Sequence, residues 1–364
     1  MPSRAGDATR LAATTLALVD IPSESRSEAA AAAWVEDAVP IGRLSLVHAA
    51  DSTLLYLTER RPGRPLVLLA GHLDTVPAQG NVPGRIEDGA VHGLGSSDMK
   101  GGVAVLVELA RWLEEDGAPL AVDLALLFFP REELPPDESA LPALFTAYPP
   151  VLEADLGLML EPTDCAIHAG CLGNLVADLV WNGVSAHSAR PWTGTNAIER
   201  AAAGLAAVVP VPAREVELSG LTFVEVATVT GIQGGIAMNI VPDRCSARVN
   251  LRYAPDRSAA AAEELLRELA ARAGADEVEI VGNSPSAPVV VETPLVERLR
   301  AAGDLAVLPK QAWTPVAELA GAGVDAINFG PGATAQAHRR EEHVEIAALE
   351  RVFRVLRDFL RDSA

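Results

Sequence analysis

Seven side chains capable of metal or proton chemistry fall at related places in the chain. His72 and Asp74 lie in "LLAGHLDTVP" (68–77), Asp98 in "GLGSSDMKGG" (93–102), and Glu132 and Glu133 in "LLFFPREE" (126–133). Glu161 lies in "LGLMLEPT" (156–163) and His338 in "INFGPGATAQAH" (327–338). Nearly all follow an apolar run that stops at Gly or Pro. Two imidazoles and several carboxylates form a nitrogen and oxygen donor set that suits Zn²⁺. Three carboxylates with two histidines are enough for two ions if one carboxylate bridges; such ions sit about 3.5–4 Å apart and activate a water between them. The glutamate pair offers one carboxylate to a metal and one to the water. Each piece alone is a weak signal: an HxD after a strand is usually incidental, and paired glutamates usually open a solvated helix. Their recurrence at successive strand ends is what points to a metal site.

The elements that must present these residues follow from hydrophobic patterning. The runs 65–71, 122–130, 156–162 and 325–332 are short and continuously apolar, as in strands buried on both faces. Helical spacing marks 101–116 and 346–362. The alternation predicts an α/β domain with a largely parallel sheet, whose ligand sites form beyond the carboxyl ends of the strands. The middle differs: 173–188, 223–232 and 245–255 tend toward alternation, with helical stretches at 195–209 and 257–274. We expect a metal-binding domain from 1–172 and 283–364, interrupted by an inserted α+β domain over 173–282.

The chain has 364 residues, too many for one compact core. Its net charge of −20 argues against nucleic acid as a partner. Three cysteines without CxxC spacing predict reduced thiols and a cytoplasmic protein. The segment around Leu11–Val19 reads as an amphipathic helix, and no apolar run of about 18 residues predicts a membrane span. No G-x-S-x-G elbow suggests a serine hydrolase.

The motifs "GHLDTVP", "GLGSSDMKGG", the glutamate pair, "EPT", "SAHSARPWTGTNAI", "GGIAMNIVPD" and "FGPG…AH" together resemble the zinc aminoacylase/carboxypeptidase family of acetylornithine deacetylase, succinyl-diaminopimelate desuccinylase and carboxypeptidase G. "VDIPSESRSE" and "VNLRYAPDRS" are similar to the actinobacterial desuccinylase type. The resemblance implies a zinc-peptidase-like catalytic domain with an inserted lid and dimerisation domain. It implies one or two zinc ions per chain, with cobalt able to replace them, and a homodimer. His72 and Glu161 would hold one metal, Glu133 and His338 the other, and Asp98 would bridge. Asp74 would orient His72. Glu132 would be the general base. His187 would reach the partner's active site and stabilise the oxyanion. Asn239, Arg252, Thr314 and Gly332 would contact substrate, a small N-acyl amino acid. The implied reaction is hydrolysis of N-succinyl-LL-2,6-diaminopimelate. Acetylornithine, other N-acyl amino acids and dipeptides are the alternatives, and a non-catalytic binder is disfavoured because no ligand or base is missing. Leu94, Pro315 and Glu318 depart from the family pattern, and the last two fall in a segment expected near the substrate.

Overall fold

A computed structural model describes residues 6–209 and 211–362. The chain forms two compact units. The first comprises the chain up to Ala169, Val290–Leu308 and everything from Thr314 onward; the second comprises Gly170–Val289 and Pro309–Trp313.

The first unit is built on an eight-stranded sheet. Its order is Leu44–Ala50, Thr53–Thr58, Asp123–Phe129, Leu66–His72, Leu156–Met159, Ala326–Asn328, Ile167–Ala169 and Val307–Pro309. The four strands from Asp123–Phe129 to Ala326–Asn328 run parallel. Leu44–Ala50 and Thr53–Thr58 pair antiparallel to their neighbours, and Ile167–Ala169 pairs antiparallel to Ala326–Asn328. Every residue of Leu66–His72 and Asp123–Phe129 is buried, as continuous apolar runs require. The helix Gly101–Asp116 buries Gly101 to Ala110 without a gap, so it too lies deep in the unit. It packs against Asp7–Val19 and Ile346–Leu360. The last of these buries Leu349, Val352, Phe353, Leu356, Phe359 and Leu360, the spacing of one helical face.

The hairpin formed by Leu44–Ala50 and Thr53–Thr58 was not expected. "LSLVHAA" is neither a continuous apolar run nor a clean alternation, and its burial pattern is correspondingly mixed.

The second unit carries a five-stranded antiparallel sheet ordered Arg214–Leu218, Leu221–Gly234, Arg244–Tyr253, Gly173–Asn182 and Glu277–Ser284. Gly173–Asn182 and Arg244–Tyr253 largely alternate between buried and partly exposed side chains. Leu175, Leu179, Trp181, Ala247 and Leu251 supply the buried face, packed with Ala197 and Ala201 of helix Ala197–Val208 and Ala262 and Leu266 of helix Ala259–Arg272. Asn196 and Ser258 cap these helices by accepting backbone N–H bonds. No helix among the described residues is long and apolar enough to cross a membrane.

Candidate metal centre

The carboxyl ends of the parallel strands converge on one group of side chains. His72 closes its strand and is fully buried. Its Nδ1 lies 3.0 Å from the main-chain oxygen of Asp74 and 3.5 Å from Asp74 Oδ1. Both partners are acceptors, so Nδ1 carries a ring proton, and Nε2 is the atom that a metal ion would take. Nε2 lies 3.3 Å from Asp98 Oδ1 and 4.0 Å from Glu161 Oε1. The shorter orienting contact is therefore the Asp74 carbonyl, with the carboxylate behind it.

The Asp74 carboxylate has a second task. Oδ1 accepts the Glu132 N–H at 3.0 Å, and Oδ2 accepts the Glu133 N–H at 3.1 Å and the Ser25 hydroxyl at 2.8 Å. Arg131 turns through the left-handed region at φ 63°, which brings these two amides back toward the neighbouring strand end. Burial pushes the Asp74 carboxyl up, but its bonds from His72, Ser25 and Glu133 and the charge of His72 outweigh this and hold it at about 2.

Glu133 Oε1 lies 2.9 Å from His338 Nε2, which is 3.5 Å from Asp98 Oδ2. The hydrogen bond to Glu133 is the main reason His338 is raised to about 9. Donor atoms of His72, Asp98 and Glu161 lie within 4.8 Å of one another, as do those of Asp98, Glu133 and His338. Asp98 belongs to both groups, one oxygen toward each histidine. Glu132 and Glu133 form a third such group with His72. Glu132 is held well above the usual carboxylate range, first by burial and then by the charge of Glu161, with Glu133 and Asp98 adding to it against His72. Four carboxylates this close repel one another unless cations lie between them. The donors are oxygen and imidazole nitrogen, so they fit two divalent ions.

Glycines let the outer loop approach. A Cβ on Gly332 would meet the Ser97 main-chain oxygen at 2.2 Å, and one on Gly330 would meet the Leu160 oxygen at 2.2 Å. Thus "FGPG" lies against the loops of Asp98 and Glu161. Gly332 accepts the Asp164 N–H through its carbonyl, and Thr314 is buried, its carbonyl accepting the Ala317 N–H.

Three expected residues belong to the second unit. His187 is exposed on a two-residue strand paired with Ile240–Val241, and its Nδ1 accepts the Ala189 N–H at 3.0 Å. Asn239 is exposed, and its carbonyl accepts the Ser188 N–H. Arg252 is partly buried and donates from Nε to Asn250 Oδ1 at 2.9 Å. No described carboxylate pairs with it, and burial pulls its guanidinium down.

Sequence reasoning missed two residues here. Ser25 supports Asp74. Glu342 accepts three backbone amides of the Asp98 loop. Ser25 lies within "VDIPSESRSE", but nothing in that stretch points to Asp74, and Glu342 sits in the polar run "HRREEH", which reads as a solvated surface.

A parallel-sheet unit that gathers two histidines and four carboxylates near its strand ends, in a chain that also carries an antiparallel unit, has the donor set of a metal-dependent hydrolase. The chain belongs to Peptidase family M20/M25/M40, whose pattern matches residues 68–362. It is 38% identical over 349 residues to a Mycobacterium tuberculosis protein provisionally named succinyl-diaminopimelate desuccinylase, covering 95% of this chain and 96% of that one. It is 35% identical to the succinyl-diaminopimelate desuccinylase of Corynebacterium glutamicum, covering 96% and 95%. Among solved structures, aminopeptidase PepT of Bacillus cereus shares the fold with a TM-score of 0.77 at 19% identity, covering 97% of this chain and 98% of that one.

Proposed function

We propose that this protein is a two-metal amidohydrolase that cleaves N-succinyl-LL-2,6-diaminopimelate to succinate and LL-2,6-diaminopimelate. The observation that carries the reading is Asp98, whose two oxygens face His72 and His338 respectively. His72 and Glu161 would hold one zinc ion, Glu133 and His338 the other, with Asp98 common to both; cobalt suits the same donors. Bound there, the ions supply Lewis acidity toward the scissile carbonyl and a water. Glu132 takes a proton from the attacking water and delivers it to the leaving amine nitrogen.

Residues of the 173–282 segment complete the reading. His187 Nδ1 accepts a backbone bond, so the neutral ring carries its proton on Nε2, the tautomer that can donate to an oxyanion. In this reading His187 serves the partner's site of a homodimer, as the family resemblance implies. Ile232, Ile236 and Met238 are 54%, 81% and 103% exposed, apolar side chains suited to a subunit contact. Arg252, which no carboxylate among the described residues pairs with, suits the terminal carboxylate of a succinyl group. Asn239, Thr314 and Gly332 are assigned to substrate contact. The three cysteines are buried and form no disulfide among the described residues, in keeping with a cytoplasmic protein.

A sister activity on an N-acyl amino acid with a cationic side chain is the second reading. Glu318 favours it: this carboxylate is only partly exposed and is raised above its usual range by burial, so an ammonium group would stabilise it. A panel of succinyl-diaminopimelate, acetylornithine and dipeptides, run with zinc-loaded protein, separates the two. At least tenfold higher kcat/KM on the succinyl substrate is expected. Faster turnover of acetylornithine would transfer the protein to the sister activity.

A further inference from the structure

We propose that Glu342 is the positioning residue of the shared carboxylate, setting whether Asp98 can serve two metal ions at once. The inference rests on the two-metal reading above.

Glu342 is 2% exposed, yet no arginine or lysine side chain donates to its carboxylate among the bonds of the described residues. Its partners are backbone amides. Oε1 accepts the N–H groups of Ser97 at 2.9 Å and Asp98 at 3.0 Å, and Oε2 accepts that of Gly95 at 2.9 Å. Its own carbonyl accepts the Gly93 N–H at 3.0 Å. Four bonds to one residue therefore define the path of the chain from Gly93 to Asp98. Gly95 passes through the left-handed region at φ 75° and Asp98 departs from helical φ/ψ, so the turn's own bonds, from Ser96 N–H to Gly93 and from Lys100 N–H to Gly95, leave the Ser97 and Asp98 amides to Glu342.

The turn matters because of what it aims. Asp98 Oδ1 lies 3.3 Å from His72 Nε2, and Asp98 Oδ2 lies 3.5 Å from His338 Nε2. A carboxylate can face two imidazoles from opposite sides in only a narrow range of backbone positions. Glu342 follows His338 by four residues in the chain. It thus ties the segment carrying the outer histidine directly to the backbone of the shared carboxylate. Groups that orient metal ligands in this way are typically worth 10–100-fold in affinity.

Glu342→Gln tests the assignment. The amide keeps one acceptor oxygen but turns an NH₂ toward a backbone N–H, so at least one of the three bonds is lost. Metal-free wild-type and variant protein would be titrated with Zn²⁺ against a chromophoric chelator, and their metal-free melting temperatures measured alongside. Wild type should take up two equivalents. The variant should keep one equivalent within about threefold of wild type and bind the second about 10–100-fold more weakly. Excess Zn²⁺ should restore the second equivalent by mass action, whereas a lesion that only loosens the fold would weaken both equivalents alike. If Glu342→Gln does not fold, Glu342→Asp, which keeps the charge but shortens the reach by one methylene, carries the same expectation. Two equivalents bound with wild-type affinity, whether or not the metal-free melting temperature falls, would reduce Glu342 to a structural cap and overturn the proposal. Failure of the wild type itself to bind two equivalents would overturn the two-metal reading instead.

Discussion

Replacing Asp74 by Asn probes how the centre is held before any metal arrives. The carboxylate is fully buried and accepts bonds from the Glu132 and Glu133 amides and the Ser25 hydroxyl, with His72 Nδ1 at 3.5 Å. An asparagine keeps one acceptor oxygen. In its better orientation the oxygen faces Glu132 N–H and His72, and Ser25 reverses to accept from the new NH₂. The Glu133 N–H is then left against a donor. A buried unpaired donor costs about 1–3 kcal/mol. Charge leads to a similar figure: a carboxyl lowered from 3.8 to about 2 favours its ionised form by roughly 2 kcal/mol. The metal-free variant should therefore lose about 2–3 kcal/mol in urea denaturation at pH 7. The folded-state pKa is depressed, so this contribution is complete above the unfolded value of 3.8 and disappears as pH falls through about 2. The gap between wild type and variant should close over that window. Affinity for metal should also fall about 10–100-fold, because His72 loses part of its support. A loss below about 0.5 kcal/mol at pH 7, with unchanged metal affinity, would refute this account of the strand end.

Glu132→Gln keeps size and removes the base, so kcat should fall about 10²–10⁴-fold while metal content stays at the wild-type level; retained turnover would remove Glu132 from the chemistry. Arg252→Ala should lower kcat/KM about 10- to 150-fold on the succinylated substrate and much less on an acetylated one, since a bond to a charged group is worth about 1.5–3 kcal/mol. Equal losses on both would assign Arg252 to a shared carboxylate or to the sheet. Mixing inactive Glu132→Gln with inactive His187→Ala protein should return some activity if His187 serves the partner's site. No recovery despite subunit exchange would place its action within its own chain.

The strands that carry the candidate ligands were legible because continuous apolar runs have few other uses in a soluble chain. "LVLLAGH" and "DLALLFF" can be buried only on both faces, and a charged residue immediately after such a run must lie at its end. The helix Gly101–Asp116 was legible for the same reason. The strands Ile167–Ala169 and Val307–Pro309 and the hairpin Leu44–Thr58 were not. Three residues are too few to display a period, and the edge strand Leu44–Ala50 is only partly buried. Sequence order also hid the sheet order, in which Asp123–Phe129 lies on one side of Leu66–His72 and Leu156–Met159 on the other. What the sequence by itself determined was which residue types could do the chemistry and that most of them follow buried strands. Only the tertiary structure decided which atoms meet. Glu133 reaches a histidine 205 residues away, Asp98 divides its oxygens between two imidazoles, and Glu342 leaves a polar run to bind three amides. Such contacts depend on loop paths and side-chain directions beyond the strand ends, where no periodicity in the sequence reports the third dimension.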